Sequence, residues 1–273
     1  MKKVFSSLCL FFLSLSPLYA SDAGLPPAAR LTAALGKASK AYESVRDYRA
    51  TFQKQERSGA VLGPKETLLL KFQKPFKIFM IWTNTYKKGL QVMYERGKND
   101  GKLVVHQPGL LLGLVSVILL DQDSPWVKEG SESYDIEDAG LGAFLEDFSA
   151  AVKRGVAEHK LEVAAAEEAS GETMDVTFAG SKENEGFFAQ RVQVHFDAVT
   201  ALPDRMELFD WQNEPMGIYA YEDLALNVGD EDAEFQKMAL KKIYQNYWLP
   251  RQSRPQTSSN FSGKSRRATP TGG

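Results

Sequence analysis

The stretch from residue 48 to residue 82 constrains the fold most strongly, because apolar and polar side chains alternate along it with the period of a β-strand. Three runs follow one another, separated by Gly59, by Gly63-Pro64 and by Lys74-Pro75. Alternate residues of a strand lie on one face, so each run has an apolar face. These faces consist of Tyr48, Ala50 and Phe52, of Leu68, Leu70 and Phe72, and of Phe76, Ile78, Met80 and Trp82. We therefore expect an antiparallel meander whose apolar face must be covered by other segments.

The rest of the chain repeats this pattern and adds two helices. Further alternating runs lie between residues 90 and 106 and between residues 159 and 228, which brings the expected total to about ten or eleven strands. Apolar residues at helical spacing predict amphipathic helices over residues 31–45 and 141–152, the second ending at Gly155. The predicted class is α+β and mostly β. We expect a curved antiparallel half-barrel sheet with helices covering an apolar concave face.

Two features indicate more apolar surface than one core layer needs. Phe79 and Ile81 are apolar on the alternation opposite to Met80 and Trp82, so this strand is expected to be covered on both faces. Residues 109–120 read GLLLGLVSVILL, which is too short to span a bilayer. We interpret them as a buried strand or core segment, and the alternative is a mobile flap over an apolar cavity.

The two ends of the chain are expected to lie outside the folded domain. Residues 1–20 combine a basic start, an apolar run and a small final residue, which predicts a secretory signal peptide cleaved after Ala20 or Ala23. We recognise no lipobox, so the mature protein is expected in the periplasm. Residues 21–249 form the predicted half-barrel domain. Residues 250–273 are polar and basic, and are predicted to be disordered.

Composition excludes several kinds of site from the mature chain. Cys9 is the only cysteine and lies in the predicted signal peptide, which leaves no thiol for a disulfide, a thiolate zinc site or a nucleophile. The formal net charge of −2 includes Lys2, Lys3 and the basic tail, so the central domain is acidic. Nucleic-acid binding needs a basic face that contacts phosphates, and it is therefore not expected.

Short motifs typical of enzymes are missing from the sequence. It contains no G-x-S-x-G, no H-E-x-x-H, no P-loop and no glycine-rich dinucleotide turn after a strand. His106, His159 and His195 are scattered over separate strand patterns, and we expect surface strand residues rather than a ligand or a base. We predict no cofactor, no metal site and no enzymatic activity.

Several short motifs occur in a familiar order after the signal peptide and the first helix. They are the Tyr48, Ala50, Phe52 and Gln53 strand, the Leu68, Leu70, Phe72, Lys74 and Pro75 strand, Trp82, and a hairpin ending near His106-Gln107-Pro108. This order resembles the LolA/LolB superfamily of periplasmic lipoprotein carriers. The later half resembles an uncharacterised exported branch of that superfamily still more closely. That similarity rests on Asp138 to Leu141, Leu202-Pro203, Phe209 to Trp211, Tyr219 to Tyr221, Leu224 to Asn227 and Phe235.

The resemblance implies an apolar cavity on the concave face, plugged by helices, that takes acyl chains. The residues expected to line it are Phe52, Leu68, Leu70, Phe72, Ile78, Met80, Trp82, Val92 and Tyr94. The residues expected to form a lid are Leu141, Phe144, Leu145 and Phe148. Lys74 and Pro75 match the basic-Pro site of the carriers, in which the basic residue is arginine.

Two functions are compatible with such a cavity. The first is a periplasmic carrier or binding protein for lipid or lipoprotein acyl chains. The alternative is an envelope lipid sensor or regulatory subunit that uses the same cavity and docks on a protein. The expected partners are a lipid or acylated lipoprotein and, transiently, a membrane or membrane protein. We expect a monomer that binds no nucleic acid.

Overall fold

The computed structural model describes residues 24–84, 87–108, 117–125, 136–183 and 185–229. Within these ranges, twelve β-strands form one sheet and two α-helices pack on it. The helices are α1 (Pro27–Glu43) and α2 (Leu141–Ala157). The strands are β1 (Asp47–Ser58), β2 (Val61–Leu62), β3 (Glu66–Gln73), β4 (Lys77–Trp82), β5 (Gln91–Glu95), β6 (Leu103–His106), β7 (Val117–Leu120), β8 (Leu161–Glu168), β9 (Gly171–Phe178), β10 (Arg191–Asp197), β11 (Pro203–Phe209) and β12 (Pro215–Leu226).

The sheet is antiparallel and open. Its strand order is β7-β6-β5-β4-β3-β1-β12-β11-β10-β9-β8, and the two-residue β2 pairs only with the end of β1. Because β7 and β8 are at opposite edges, the sheet curves without closing into a barrel. The predicted α+β half-barrel is confirmed. The described strands number twelve instead of the expected ten or eleven.

Strand β1 lies at the centre of the sheet because it pairs with β3 on one side and with β12 on the other. Tyr48 lies opposite Phe72 of β3 and opposite Leu226 of β12. Tyr48 and Ala50 are buried, whereas Arg49 between them is exposed. The side chains that were predicted to face inward on this strand are therefore the ones that point toward the core.

Two apolar clusters form on opposite faces of the sheet. The larger cluster lies on the concave face and joins inward residues of most strands to the buried faces of both helices. The smaller cluster lies on the convex face and consists of Phe79, Met93 and Val104, with Ile81 and Val117 packed against them. The prediction that β4 is covered on both faces is confirmed.

The end of α2 differs from the prediction. The helix continues to Ala157, so the expectation that it ends at Gly155 is wrong. A Cβ on Gly155 would lie 3.1 Å from the ring of Phe178, which shows that glycine allows the helix to pack closely on β9. His159, with a φ of +55°, is the first left-handed residue after the helix. The glycine thus serves tertiary packing rather than helix termination.

Some predicted features lie outside the described residues. They are the signal peptide over residues 1–20, the stretch 109–116 and the tail 250–273. Of the apolar stretch 109–120, the structure describes residues 117–120, which form β7. This strand is an edge of the sheet, and its Leu119 is 42% exposed. The expected buried strand is therefore partly exposed at this end.

Candidate functional site

The nine predicted cavity residues lie on the concave face of four neighbouring strands. The register aligns them in three transverse rows, because antiparallel pairing places inward residues of adjacent strands opposite one another. The first row is Phe52, Leu68 and Trp82; the second is Leu70, Met80 and Val92; the third is Phe72, Ile78 and Tyr94. All are buried except Phe52, which is half-buried, and all belong to the concave cluster. We refer to these nine residues as the apolar wall.

At the first row, the apolar wall continues into two tyrosines of β12. The ring centroid of Phe52 lies 4.6 Å from that of Tyr221 and 6.2 Å from that of Tyr219. Burial raises the pKa of the Tyr221 phenol far above its ordinary value, so this side chain stays neutral and contributes mainly its ring. The aromatic surface thus crosses from β1 to the other half of the sheet.

Helix α2 contributes the predicted lid residues. Leu141, Leu145 and Phe148 are buried, whereas Phe144 is half-buried and stacks on Phe148 with 5.4 Å between ring centroids. The backbone N–H of Leu141 donates to the hydroxyl of Tyr48 at 3.3 Å, which satisfies one of the free N–H groups at the helix start. The structure therefore places all four lid residues over the concave face and fixes the first turn to β1.

The two helices touch at a glycine. A Cβ on Gly142 of α2 would lie 2.5 Å from the hydroxyl oxygen of Tyr42 on α1, so no larger residue fits this contact without displacement. This close approach holds the first half of α2 against α1. Movement of α2 would therefore require Tyr42 to rearrange.

A charged contact fastens the turn before α2 to β5. Glu137 lies in a short 3-10 turn, Ile136–Asp138, and accepts hydrogen bonds from Arg96 at 2.7 and 3.0 Å and from the Tyr94 hydroxyl. The bonds from Arg96 and Tyr94 hold the pKa of Glu137 below its ordinary value, so the carboxylate is charged at neutral pH. The pair is partly exposed, so it stabilises this contact only modestly.

Lys74 is a helix cap in the structure. Its Nζ donates to the backbone oxygen of Tyr42 at 2.6 Å and lies 4.1 Å from the centroid of that ring. Carbonyl groups in the last turn of a helix lack partners and carry negative partial charge, so a lysine stabilises them. Pro75 lies in the turn before β4, which begins at Lys77.

We expect Lys74→Ala to lower the free energy of unfolding by about 1–2 kcal/mol, because the last turn of α1 loses a charged donor. Lys88→Ala is the matched control, since Lys88 is exposed and its removal should change stability by less than about 0.5 kcal/mol. Urea denaturation followed by circular dichroism measures both. Equal stabilities of the two variants would show that Lys74 does not hold α1.

Charged residues continue the concave face beyond the first row, and the sequence analysis did not predict them as a site. The Glu66 carboxylate accepts hydrogen bonds from Trp82 Nε1 and from Lys87 Nζ, both at 2.6 Å. Lys54 Nζ lies 2.9 Å from the Glu56 carboxylate and 4.0 Å from that of Glu66. We refer to Lys54, Glu56, Glu66 and Lys87 as the polar cluster.

The polar cluster is a balanced set of buried or half-buried charges. Burial would raise the pKa of Glu66, but Lys54, Lys87 and the Trp82 N–H outweigh burial and lower it, so this carboxylate is ionised. One sequence signal could have revealed the cluster. Lys54 and Glu56 continue the inward alternation of Phe52, and Glu66 precedes Leu68 on the same face.

The histidines do not occupy the expected positions. His195 on β10 is only 2% exposed, and His106 on β6 is also buried. His159 is exposed but follows α2 in a turn instead of lying in a strand. The prediction of three surface strand histidines is therefore wrong, because a side chain that hydrogen-bonds within the sheet can be buried.

Two features are missing from the part of the chain that the structure describes. No group of three or more His, Cys, Asp or Glu side chains in this part of the chain could hold a metal ion. No described helix combines the length and apolar character needed to cross a membrane.

The fold and site define a class: an open antiparallel half-barrel with an apolar wall and a charged cluster on its concave face, under two helices. Residues 45–245 match the family model for DUF1571, described as a protein of unknown function. The chain belongs to this family. No curated protein matches the sequence.

Several solved structures resemble the fold at low sequence identity. A LolA superfamily protein from Nitrosomonas europaea is 9% identical, with 72% of this chain and 93% of that chain covered and a TM-score of 0.32. A domain described as a candidate outer membrane lipoprotein-sorting protein from Vibrio parahaemolyticus is 13% identical, with 76% and 97% covered and a TM-score of 0.36. MucB, in its complex with MucA from Pseudomonas aeruginosa, is 12% identical, with 76% and 60% covered and a TM-score of 0.41. Members of the LolA superfamily are thus among the structures that resemble this chain, as the sequence predicted.

Proposed function

We propose that this protein binds the acyl chains of lipids or lipoproteins against the apolar wall and carries them through the periplasm. The observation that carries this proposal is the alignment of nine apolar side chains in three rows across β1, β3, β4 and β5. Such a surface is wide and continuous, and the polar atoms of Trp82 and Tyr94 are bonded to Glu66 and Glu137. It suits a flexible hydrocarbon chain better than a small polar substrate.

The position of the helices would allow an acyl chain to reach the wall. Both helices approach the sheet most closely at β8, which is one edge of the sheet. The apolar wall lies in the other half of the strand order, and a Cβ on Gly140, just before α2, would lie 3.9 Å from the ring of Phe72. A modest outward movement of the first part of α2 would give acyl chains access to the wall without separating α2 from β8 and β9.

The energetics favour a ligand with both an acyl chain and a polar head. Each methylene transferred from water stabilises the complex by about 0.8 kcal/mol, so about ten methylenes contribute roughly 8 kcal/mol before ordering costs. The polar cluster adjoins the first row of the wall. It would contact a polar head group while the chain lies along the rows.

The test compares two carboxylates placed on the same helix. Phe144 is half-buried against the concave cluster, whereas Val156 is 53% exposed, so both Phe144→Glu and Val156→Glu should fold. We expect wild type and Val156→Glu to bind an environment-sensitive fluorescent fatty acid with similar affinity. Binding by Phe144→Glu should be at least about tenfold weaker, because a carboxylate would lie against the hydrocarbon chain.

Two results would contradict the proposal. They are a wild-type protein that binds no fluorescent fatty acid, and equal affinities of all three proteins. Transfer of the bound fatty acid between donor and acceptor vesicles then separates a carrier from a lipid sensor. A carrier releases its ligand to the acceptor vesicle, whereas a sensor keeps it.

A further inference from the structure

A second constellation lies in the other half of the sheet, away from the apolar wall. Three polar side chains converge there: Ser170 in the β8–β9 turn, His195 on β10 and Asp204 on β11. The Ser170 Oγ lies 3.2 Å from His195 Nε2, and the Asp204 carboxylate lies 2.5 Å from His195 Nδ1. Oxygen, imidazole and carboxylate thus form one hydrogen-bonded chain.

The order of these three groups determines which of their atoms carry protons. A carboxylate can only accept, so His195 Nδ1 carries the proton that bonds to Asp204. In the neutral ring, Nε2 then has its lone pair free to accept from the Ser170 hydroxyl. The ring is only 2% exposed, which limits competition from water for these bonds. This is the arrangement in which histidine acts as a general base toward serine.

The backbone holds Ser170 in place from the side of β10. Ser170 accepts a hydrogen bond through its backbone oxygen from the Ala198 N–H at 2.8 Å. Gly171 follows it, and a Cβ there would lie 2.0 Å from the Phe196 carbonyl oxygen and 3.0 Å from His195 Nε2. Only glycine lets the turn approach His195 this closely.

The same turn offers donors for an oxyanion. Ser170 is exposed, and within the described chain the N–H groups of Ala169 and Ser170 donate no hydrogen bond. In serine hydrolases the N–H of the nucleophile itself helps to stabilise the oxygen that becomes negative. The nucleophile, the base and candidate oxyanion donors therefore occur within one β-turn and the strand beside it.

A cleft of about 340 Å³ adjoins the turn. It lies between α1 and the ends of β8–β10, and residues that line it include Arg30, Lys37, Glu167, Glu172, Gly171 and Phe196. Arg30 Nη2 pairs with Glu167 at 3.0 Å and with Glu172, whereas its buried Nε bonds to no acceptor among the described residues. The volume is at the small end of ligand sites. Because Phe196 faces the cleft and the next residue of the strand, His195, points to the other side, a substrate reaches Ser170 at the exposed turn and not from within the cleft.

We propose that Ser170, His195 and Asp204 form a nucleophilic triad that hydrolyses small carboxylic esters that reach the exposed β8–β9 turn. Ser170 Oγ bonds to the ester carbonyl carbon while its proton passes to His195 Nε2. The ester C–O bond then breaks, and the alcohol leaves with that proton. Water then attacks the acyl carbon and gives a proton to His195 Nε2. The bond from the acyl carbon to Ser170 Oγ breaks, Ser170 Oγ regains that proton from His195, and the carboxylic acid leaves. Asp204 is a positioning residue that holds the imidazole tautomer.

The test uses a fluorophosphonate probe, which phosphonylates activated serines, on the full mature chain. We expect one added phosphonyl group by intact mass, located on Ser170 by peptide mapping. Ser170→Ala should not react, and the exposed Ser58→Ala control should react as wild type does. Asp204→Asn should react at least about 100-fold more slowly, because the His195 tautomer with its proton on Nδ1 is no longer held. Asp204→Glu should recover part of the rate, since it restores a carboxylate.

A purely structural role predicts different results. If the three side chains only tie the turn to β10 and β11, Ser170→Ala lowers the melting temperature while wild type remains unlabelled. The triad is also overturned if Ser170→Ala is labelled as much as wild type, or if Asp204→Asn is labelled as fast as wild type. Hydrolysis of p-nitrophenyl acetate that is lost in Ser170→Ala supports it. A protein that binds no fluorescent fatty acid can still be labelled at Ser170, so this test is independent of acyl binding at the wall.

Discussion

Replacing Phe148 by alanine is expected to lower the free energy of unfolding by about 3–5 kcal/mol, because truncation of a fully buried aromatic leaves a cavity. Phe148 is fully buried and belongs to the concave cluster, in which it stacks on Phe144. Val156→Ala on the same helix is the control and should change stability by less than about 0.5 kcal/mol, since this side chain is largely exposed. Urea denaturation of the ligand-free protein measures both.

The same experiment identifies which part of α2 can move. Phe144 is half-buried, so Phe144→Ala should cost only about 1–2 kcal/mol. A core-sized loss at Phe148 together with a small loss at Phe144 would limit the lid to the first turns of α2. A loss below about 1 kcal/mol at Phe148 would contradict its assignment to the permanent core, and would extend the lid over the helix centre.

Gly171→Ala is expected to cost about 3 kcal/mol or more, and to prevent folding if the turn cannot move. The new Cβ would lie 2.0 Å from the Phe196 carbonyl oxygen, which is backbone and cannot rotate away. The φ of Gly171 is +154°, a value that residues with a side chain rarely adopt. Because the turn would have to separate from β10, contact between Ser170 and His195 would also be lost.

Gly36→Ala is the matched control, with the opposite expected sign. Gly36 is exposed on α1 and a Cβ there meets no atom within 4 Å, so alanine should stabilise the protein by about 0.5–1 kcal/mol. Thermal unfolding of the three proteins should rank Gly36→Ala above wild type and Gly171→Ala lowest. A Gly171→Ala variant as stable as wild type would mean that the turn lies farther from β10 than the structure shows.

Much of the apolar wall could be predicted from the sequence because a strand with one buried face has a strict period of two. The alternation of Leu68, Leu70 and Phe72 identifies the inward face without knowledge of the partner strands. Short turns then fix antiparallel neighbours, and the rows follow from the register. The covered convex face of β4 was predictable for the same reason, since Phe79 and Ile81 break the polar alternation.

The polar cluster and the serine–histidine–aspartate group could not be predicted in this way. Glu66 and Lys87 come together only through the β3–β4 pairing and the turn that follows β4. Ser170, His195 and Asp204 lie on three separate elements, and no short motif connects them. Gly155 was misread because the sequence does not show that Phe178 packs against it. In each case the deciding contact depends on distant parts of the chain.

The strand order has a consequence for how the chain folds. Strands β1 to β7 and strands β8 to β12 form two meanders of local hairpins, and only the pairing of β1 with β12 joins them. That pairing brings Tyr48 beside Leu226, so it can form only after nearly all of the described chain has been synthesised. Contacts between such distant residues close large loops and slow folding. A chain truncated before β12 would expose the edge of β1 together with its apolar face, and such edges promote aggregation.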